Sequence, residues 1–277
     1  MQIKYFAPYE FKEKISRMNP LFNGIAANDA KDLVNFIIMT IHSELNKKNE
    51  SNQNNDYSQI DQSNRELVFN CFIKEFTDNN KSIISELFYS NNCSVSECSL
   101  CHRKIYNYQI YFFIIFPLEE VRKYKNINNN KVSIYDCFDY ERKQNVMSGE
   151  NSMYCNYCRK SCDFTMTTYL VTCPQILIII LNRGKGKEYD IKINFDQSLN
   201  LNNYIEYVNT GYNYELIGVI THIGESSMSG HFIAYCKDPI SNKWHKYNDA
   251  IVTEVNNFQE EVINFAMPYL LFYQKVN

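Results

Sequence analysis

Two pairs of cysteines constrain the fold of this chain more than any other feature of its sequence. Cys98-Ser99-Leu100-Cys101 and Cys155-Asn156-Tyr157-Cys158 share a Cys-x-x-Cys spacing. Each pair presents two thiolates to one tetrahedral ion, and two pairs supply four sulfurs. About fifty residues separate them, more than a compact zinc ribbon uses. A fold that closes such a site must bring the tips of two distant hairpins together. The plain alternative is free thiols at a chance spacing. Two pairs, each followed by basic residues (Arg103-Lys104 and Arg159-Lys160), argue for zinc instead. That zinc would be structural, because four sulfurs leave no open position. Cys93 and Cys162 lie nearby and compete as ligands, whereas Cys71, Cys137, Cys173 and Cys236 are expected as core thiols.

A chain of 277 residues can bury a full core as one large domain or two small ones. Its 22 Tyr and 18 Phe supply the apolar mass for that core. The formal net charge of −3 leaves no basic footprint for nucleic acid. The opening Met1-Gln2-Ile3-Lys4-Tyr5-Phe6-Ala7-Pro8 has no basic region followed by an apolar one, so it does not read as a secretory signal. The longest apolar runs, Tyr111 to Phe116 and Ile176 to Leu181, are strand-length and too short to cross a bilayer. We therefore expect an intracellular protein, cytoplasmic or nuclear, with no membrane partner. In that reducing setting cysteine pairs indicate metal or redox chemistry rather than disulfides.

The first third reads as helical. Asn28-Asp29 can cap a helix whose apolar positions Leu33, Val34, Phe36, Ile37, Ile41 and Leu45 recur at three- and four-residue spacing. It ends near Asn46. Residues 47–66 are rich in Asn, Gln, Ser, Asp and Lys, without apolar periodicity, and predict a disordered insertion. Glu66 to Phe76 fits a short helix or a strand. From Ser85 the pattern turns to β, with one strand over Tyr106 to Phe116, a short helix over Val132 to Tyr140, and strands at 165–172, 176–181, 191–195, 214–222, 231–236, 243–247 and 269–274. Turn chemistry at Asn182 to Lys187, Gly224 to Gly230 and Asp238 to Asn242 separates them. Helices first and strands later predict an α+β architecture.

The chemistry-bearing stretch is Ser229-Gly230-His231-Phe232-Ile233-Ala234-Tyr235, followed by Lys243-Trp244-His245-Lys246-Tyr247-Asn248-Asp249. A histidine opens an apolar strand, and an Asn-Asp pair arrives after one hairpin. A lone strand histidine is usually a satisfied structural residue. Here an amide or carboxylate accepting from Nδ1–H would hold the ring in a useful tautomer, as in sites where an imidazole serves a Ser or Cys nucleophile. His42, His102, His222 and His245 are not followed by an Asn-Asp pair after one hairpin and read as structural or exposed. None of the ten cysteines sits in a recognisable nucleophile setting.

These motifs give the chain a resemblance to the ubiquitin-specific proteases, the papain-like cysteine deubiquitinases, from about Asn19 to Gln274. Asn28-Asp29-Ala30-Lys31-Asp32-Leu33 is similar to the family's Gln-Gln-Asp-Ala-x-Glu-Phe, and Ile41-His42-Ser43-Glu44-Leu45-Asn46 to its Leu-His-Glu-Glu-Leu-Asn. The two Cys-x-x-Cys pairs match its zinc knuckles. Cys173-Pro174-Gln175-Ile176-Leu177-Ile178, Tyr214 to Gly224, Gly230-His231-Phe232, Trp244 to Asp249 and Tyr269 to Gln274 follow its later motifs in order. The resemblance implies a hand-like fold: a helical thumb over about 1–90, a β-rich palm over 105–125 and 170–277, and zinc-knuckle fingers from 85–110 and 140–172. It implies ubiquitin and ubiquitinated proteins as partners, and hydrolysis of ubiquitin isopeptide bonds by a cysteine. His231 would be the base, Asn248 its orienting group, and Asp249 an assistant. Asp29 would meet the ubiquitin tail, whose arginines suit a carboxylate. Zinc would sit on Cys98, Cys101, Cys155 and Cys158.

The departures are specific. The family's Gly-x-x-Asn-x-Gly-Asn-Thr-Cys-Tyr-x-Asn box, which carries the nucleophile before the Asp29 helix, is absent, and no cysteine precedes Cys71. Ala27-Asn28 stands for Gln-Gln, and Asn182-Arg183-Gly184 for Lys-Arg-Phe. Two readings follow. The sequence is a copy of an active enzyme lacking its N-terminal segment, the reading favoured by retention of His231 and Asn248. Otherwise it is a non-catalytic ubiquitin-binding pseudoprotease.

Overall fold

The structure, a computed structural model, describes residues 8–24, 28–47, 60–127, 131–183, 190–206, 211–226, 229–264 and 267–276. Its α-helices are α1 (Tyr9–Met18), α2 (Ala30–Leu45), α3 (Arg65–Asn79), α4 (Ile83–Phe88), α5 (Leu118–Tyr124) and α6 (Ile134–Glu141). Side-chain caps fix several of their starts. Asp29 accepts from the Lys31 amide at 2.9 Å and Asn64 from the Leu67 amide at 3.1 Å. Ser82 with Ser85, and Ser133 with Asp136, form capping boxes. Helix α2 stops where Asn46 turns extended.

The first strands are β1 (Ser90–Cys98), β2 (Lys104–Tyr111), β3 (Ile114–Pro117), β4 (Lys131–Ser133), β5 (Asn145–Met147), β6 (Met153–Cys155), β7 (Lys160–Cys162) and β8 (Phe164–Leu170). Then come β9 (Ile176–Asn182), β10 (Lys192–Asn194), β11 (Ser198–Asn200), β12 (Asn213–Ser226), β13 (Ser229–Lys237), β14 (Trp244–Asn248), β15 (Ile251–Glu254) and β16 (Pro268–Val276). An eight-stranded sheet runs β15-β14-β13-β12-β16-β9-β3, with β11 on β12. A four-stranded sheet runs β2-β1-β8-β5, and β6 with β7 makes a separate hairpin.

Strand β9 is apolar along most of its length because both faces are covered. Ile178 and Ile180, with Leu270 of β16, pack against Ile38 of α2 and Ile84 of α4. Leu177, Ile179 and Leu181 face the larger core with Phe116, Phe138, Phe195, Tyr214 and Tyr273. This is an α+β fold. No helix among the described residues is long and apolar enough to cross a membrane.

Three expectations need correction, and a fourth lies largely outside the described residues. Tyr106 to Phe116 is not one strand, since a bend at Phe112-Phe113 splits it between the two sheets. The two rings pack edge to face at 4.4 Å, and Phe112 also stacks on Tyr89 at 5.6 Å, so burying both aromatics turns the backbone. Ser85 to Phe88 is helical, because the Ser82–Ser85 capping box outweighs local β propensity. The polar segment 47–66 lies largely outside the described residues. Its end does not: Gln62 O accepts from the Tyr106 amide at 3.1 Å, and Arg65 already begins α3. Cys71 is half-buried and Cys236 exposed rather than in the core, Cys236 because alternation along β13 gives the core to Ile233 and Tyr235.

Candidate functional site

Strand β13 lies between β12 and β14, with Ala234 paired to Tyr247. This register carries Asn248, at the end of β14, across to His231. The His231 Nε2 and Asn248 Oδ1 lie 2.6 Å apart. An amide oxygen only accepts, so Nε2 is the donor, and in the neutral ring Nδ1 keeps the lone pair. The expected contact was to Nδ1; the partner is on the other nitrogen. Asp249 follows with Oδ2 3.6 Å from the same Nε2, its side chain 81% exposed. Its φ of +50° opens the two-residue turn into β15, a conformation Asp tolerates better than most residues. The His231 side chain is itself 45% exposed, so Nδ1 belongs to an accessible corner. All ten cysteines lie among the described residues, and none is a hydrogen-bond partner of His231.

A second histidine backs this corner. In the β12–β13 hairpin His222 pairs with Phe232 and Ile223 with His231. The His222 ring is buried, lies 4.7 Å from the Phe232 ring, and fills the space beside Gly230. A Cβ on Gly230 would meet His222 Nε2 at 2.3 Å and Ile223 O at 2.6 Å, so glycine is required there. Burial lowers the His222 pKa from its ordinary value; Asp29 opposes that shift and His231 adds to it.

Asp29 lies on the same side. The Tyr269 hydroxyl donates to its carboxylate at 2.8 and 2.9 Å, and Lys31 Nζ approaches to 3.0 Å. The Tyr269 ring sits 5.7 Å from Phe232, so α2 is pinned beside the His231 strand. A cavity of about 460 Å³ opens here, lined by Phe11, Ile15, Phe22, Asp29, Leu33 and Phe232. Sequence reading did not single out His222 or Tyr269 as site neighbours. The signal that finds His222 is the hairpin register, which sets it across from Phe232.

The remaining histidines are elsewhere. His42 is buried between Ser82 Oγ at 2.7 Å and Asn80 Oδ1 at 3.2 Å, joining α2 to the start of α4. His102 is exposed beside Glu97, and His245 is half-buried on β14.

The four knuckle cysteines come together. Their sulfurs all lie within 4.8 Å of one another, and Cys101 and Cys155 are 3.7 Å apart. Four sulfurs at about 2.3 Å from a tetrahedral ion sit roughly 3.8 Å from each other, so the set can hold a metal ion. The knuckle backbone favours the thiolates of Cys98 and Cys155, whereas burial and the neighbouring sulfurs push Cys158 up and Cys101 is raised as well. Burial opposes ionisation of Cys98, but the amides of Cys101 and Leu100 and the neighbouring thiols outweigh it, bringing the group down to about 6. Cys155 is also lowered, first by the Cys158 amide, whose nitrogen lies 3.4 Å from its sulfur.

Residues 1–273 match the family model described as ubiquitin carboxyl-terminal hydrolase. Ubiquitin carboxyl-terminal hydrolase Usp2 of Drosophila melanogaster is 25% identical over 276 residues, which is 97% of this chain and 28% of that protein. Ubiquitin carboxyl-terminal hydrolase 2 of Gallus gallus is 26% identical over 278 residues, 97% of this chain and 74% of its own length. Among solved structures, Ubp8 in a SAGA DUB module with Sgf11, Sus1 and Sgf73, bound to monoubiquitin, matches with a TM-score of 0.71 at 21% identity. That match covers 97% of this chain and 53% of the solved one, and at this identity it speaks to fold alone. The chain thus spans from about a quarter to three quarters of the relatives it matches.

Proposed function

The chain belongs to the ubiquitin carboxyl-terminal hydrolase family, and on that premise we propose that it is the ubiquitin-binding, base-supplying part of a thiol-dependent deubiquitinase. The observation that carries this reading is the 2.6 Å pair between His231 Nε2 and Asn248 Oδ1. Asn248 holds the ring so that Nδ1 can take a proton from a thiol. The resulting thiolate attacks the isopeptide carbonyl after the last residue of ubiquitin. His231 then returns the proton to the departing lysine amine, leaving a thioester that water hydrolyses. Asp249, near the same nitrogen, stabilises the imidazolium. None of the ten cysteines of this sequence is a hydrogen-bond partner of His231, so in this scheme the thiol comes from outside residues 1–277.

Asp29 contributes to the ubiquitin-tail site, with an adjustment from its geometry. Its carboxylate is already shared by Tyr269 and Lys31. It therefore acts as part of a clamp between α2 and β16 that an incoming arginine has to share. We take the knuckle ion to be zinc, bound by Cys98, Cys101, Cys155 and Cys158. It supplies local stability and no chemistry, since four thiolates fill its shell. Ten unpaired cysteines suit a reducing intracellular compartment.

A non-catalytic ubiquitin binder is the second reading, favoured by the lack of any cysteine against His231. Two measurements on the zinc-loaded chain separate the possibilities. Titration with ubiquitin should give a complex that Asp29→Ala weakens; a folded, metal-loaded chain that ignores ubiquitin would sink both readings. A cysteine-reactive ubiquitin probe should label none of the ten cysteines. Joining a segment that carries the family's Cys box should restore labelling and turnover, with turnover lost again in His231→Ala. If the joined chain stays inert, the binder reading prevails.

A further inference from the structure

Three donors hold the Asp29 carboxylate, and they differ in how readily they can leave it. Oδ1 accepts from the Lys31 amide and from the Tyr269 hydroxyl, both at 2.9 Å. Oδ2 accepts from the same hydroxyl at 2.8 Å and from Lys31 Nζ at 3.0 Å. A carboxylate has about four lone-pair positions, and a guanidinium that binds it through two parallel bonds needs one on each oxygen.

The amide cannot leave without undoing the cap that starts α2. The Tyr269 hydroxyl is set by β16, whose next residues, Leu270 and Leu271, are wholly buried. Lys31 Nζ is different. It ends a flexible stem, its side chain is 40% exposed, and Asp32 Oδ1 stands 3.7 Å away as a second acceptor. Burial works against the Lys31 charge, but Asp29 and Asp32 outweigh it and raise the group above its ordinary range. The ammonium is therefore charged at neutral pH and sits on the oxygen that an incoming arginine has to reach. Lys31 holds the position that the family pattern Gln-Gln-Asp-Ala-x-Glu-Phe leaves open, so this counter-ion is no part of that pattern.

We propose that Lys31 is a displaceable counter-ion that sets the affinity of the ubiquitin-tail site. In the free chain it covers Asp29 Oδ2. When a tail arginine arrives, the ammonium gives up that oxygen and turns to Asp32. One ion pair replaces another, and no charge is left unpaired. The site therefore binds ubiquitin more weakly than a carboxylate without the ammonium would. This deepens the reading of Asp29 as part of the ubiquitin-tail site and rests on it.

The test is calorimetric titration of ubiquitin into the zinc-loaded chain in four forms: unsubstituted, Lys31→Gln, Asp29→Asn, and Asp29→Asn/Lys31→Gln. Glutamine keeps the backbone donor and the helix propensity at position 31, and asparagine caps a helix as well as aspartate does, so all four should fold. A partly exposed ion pair is worth up to about a factor of five in an equilibrium constant. Lys31→Gln is expected to bind ubiquitin about two- to fivefold more tightly than the unsubstituted chain. Beside Asp29→Asn the same change should have little effect, because no carboxylate is there to uncover. Affinity of Lys31→Gln should also fall more steeply with salt, since that chain gains an ion pair where the unsubstituted one exchanges a pair. A Lys31→Gln chain that binds no more tightly overturns the proposal. So does an equal gain beside Asp29→Asn, which would mark plain charge repulsion, and so do parallel salt slopes. A folded, zinc-loaded chain that ignores ubiquitin, or binds it equally well as Asp29→Asn, would instead sink the tail-site reading.

Discussion

Around Cys98 and Cys155 the chain gathers its sulfurs over a small apolar cluster, in which Phe164 is, among the described residues, the only fully buried carbon side chain, backed by Ile105, Met147 and Met153. Around His231 it sets two polar side chains on the rim of its largest core, where Ile233 and Tyr235 of the same strand are buried. The first region has its chemistry complete and its packing thin. The second has its packing complete and its chemistry open, since His231 has an orienting amide and no thiol. Order therefore comes from different sources. With zinc bound as proposed, the knuckles would depend on ligand bonds, while the His231 corner depends on strand register. Disturbing one should leave the other standing.

Removing the metal gives the largest expected effect. Structural zinc contributes about 10–16 kcal/mol of apparent folding free energy in isolated fingers at neutral pH. A chelator should therefore abolish amide-exchange protection in β6, β7 and the adjoining ends of β1 and β2. Protection in β9, β12 and β16 should persist. Protons compete for the thiolates, so stripping should become easier as the pH falls. Exchange that speeds up equally across both regions would show that they form one cooperative unit.

The converse perturbation is Ile180→Ala. Ile180 is 3% exposed between α2, α4 and the main sheet. Truncating it should cost about 2–5 kcal/mol in denaturant unfolding of the main sheet. Zinc affinity should not change. A parallel drop in zinc affinity would mean that the knuckles lean on the main core after all.

The same contrast explains what was legible in the sequence. The knuckle set needed only spacing, because thiolate pairs at two-residue intervals carry their geometry with them. The strand β9 and the cap at Asp29 were legible for similar local reasons. His231 and Asn248 could be named as partners, but not the ring nitrogen that joins them, because that depends on the twist and register of β13 and β14. His222 looked unpartnered for the same reason: its neighbours Gly230 and Phe232 face it across the hairpin. Phe112-Phe113 misled the reading of one long strand, because burial of two rings at a bend is decided by Tyr89, far away in sequence. Cys236 was misplaced by an assumption that strand cysteines point inward.

Gly230→Ala probes the histidine corner from behind. The added methyl would overlap His222 Nε2 and Ile223 O, both well inside contact distance. Overpacking of this kind costs about 1–3 kcal/mol. Thermal unfolding should report that loss, and the His222 ring resonances should shift while zinc binding stays the same. A variant as stable as the parent, with unmoved His222 signals, would mean that the hairpin opens at no cost and that register does not hold the corner rigidly.

Asn248→Ala should have the smallest effect on stability and the most telling effect on the site. The pair is largely exposed, so removing one hydrogen bond should cost no more than about 0.5–1.5 kcal/mol. Its consequence lies in the tautomer. With the amide present, Nε2 must donate, and Nδ1 is the basic nitrogen. Without it, Asp249 at 3.6 Å is the remaining nearby acceptor, and it sits on an exposed turn. Long-range proton–nitrogen spectra at a pH where the ring is neutral should show a single Nε2–H form in the parent. The variant should show a mixture, and Asn248→Asp should restore the single form, because a carboxylate also accepts. If the alanine variant keeps the pure Nε2–H form, Asp249 or the backbone is setting the ring. The histidine corner would then owe its orientation to the turn after β14 rather than to the amide at its end.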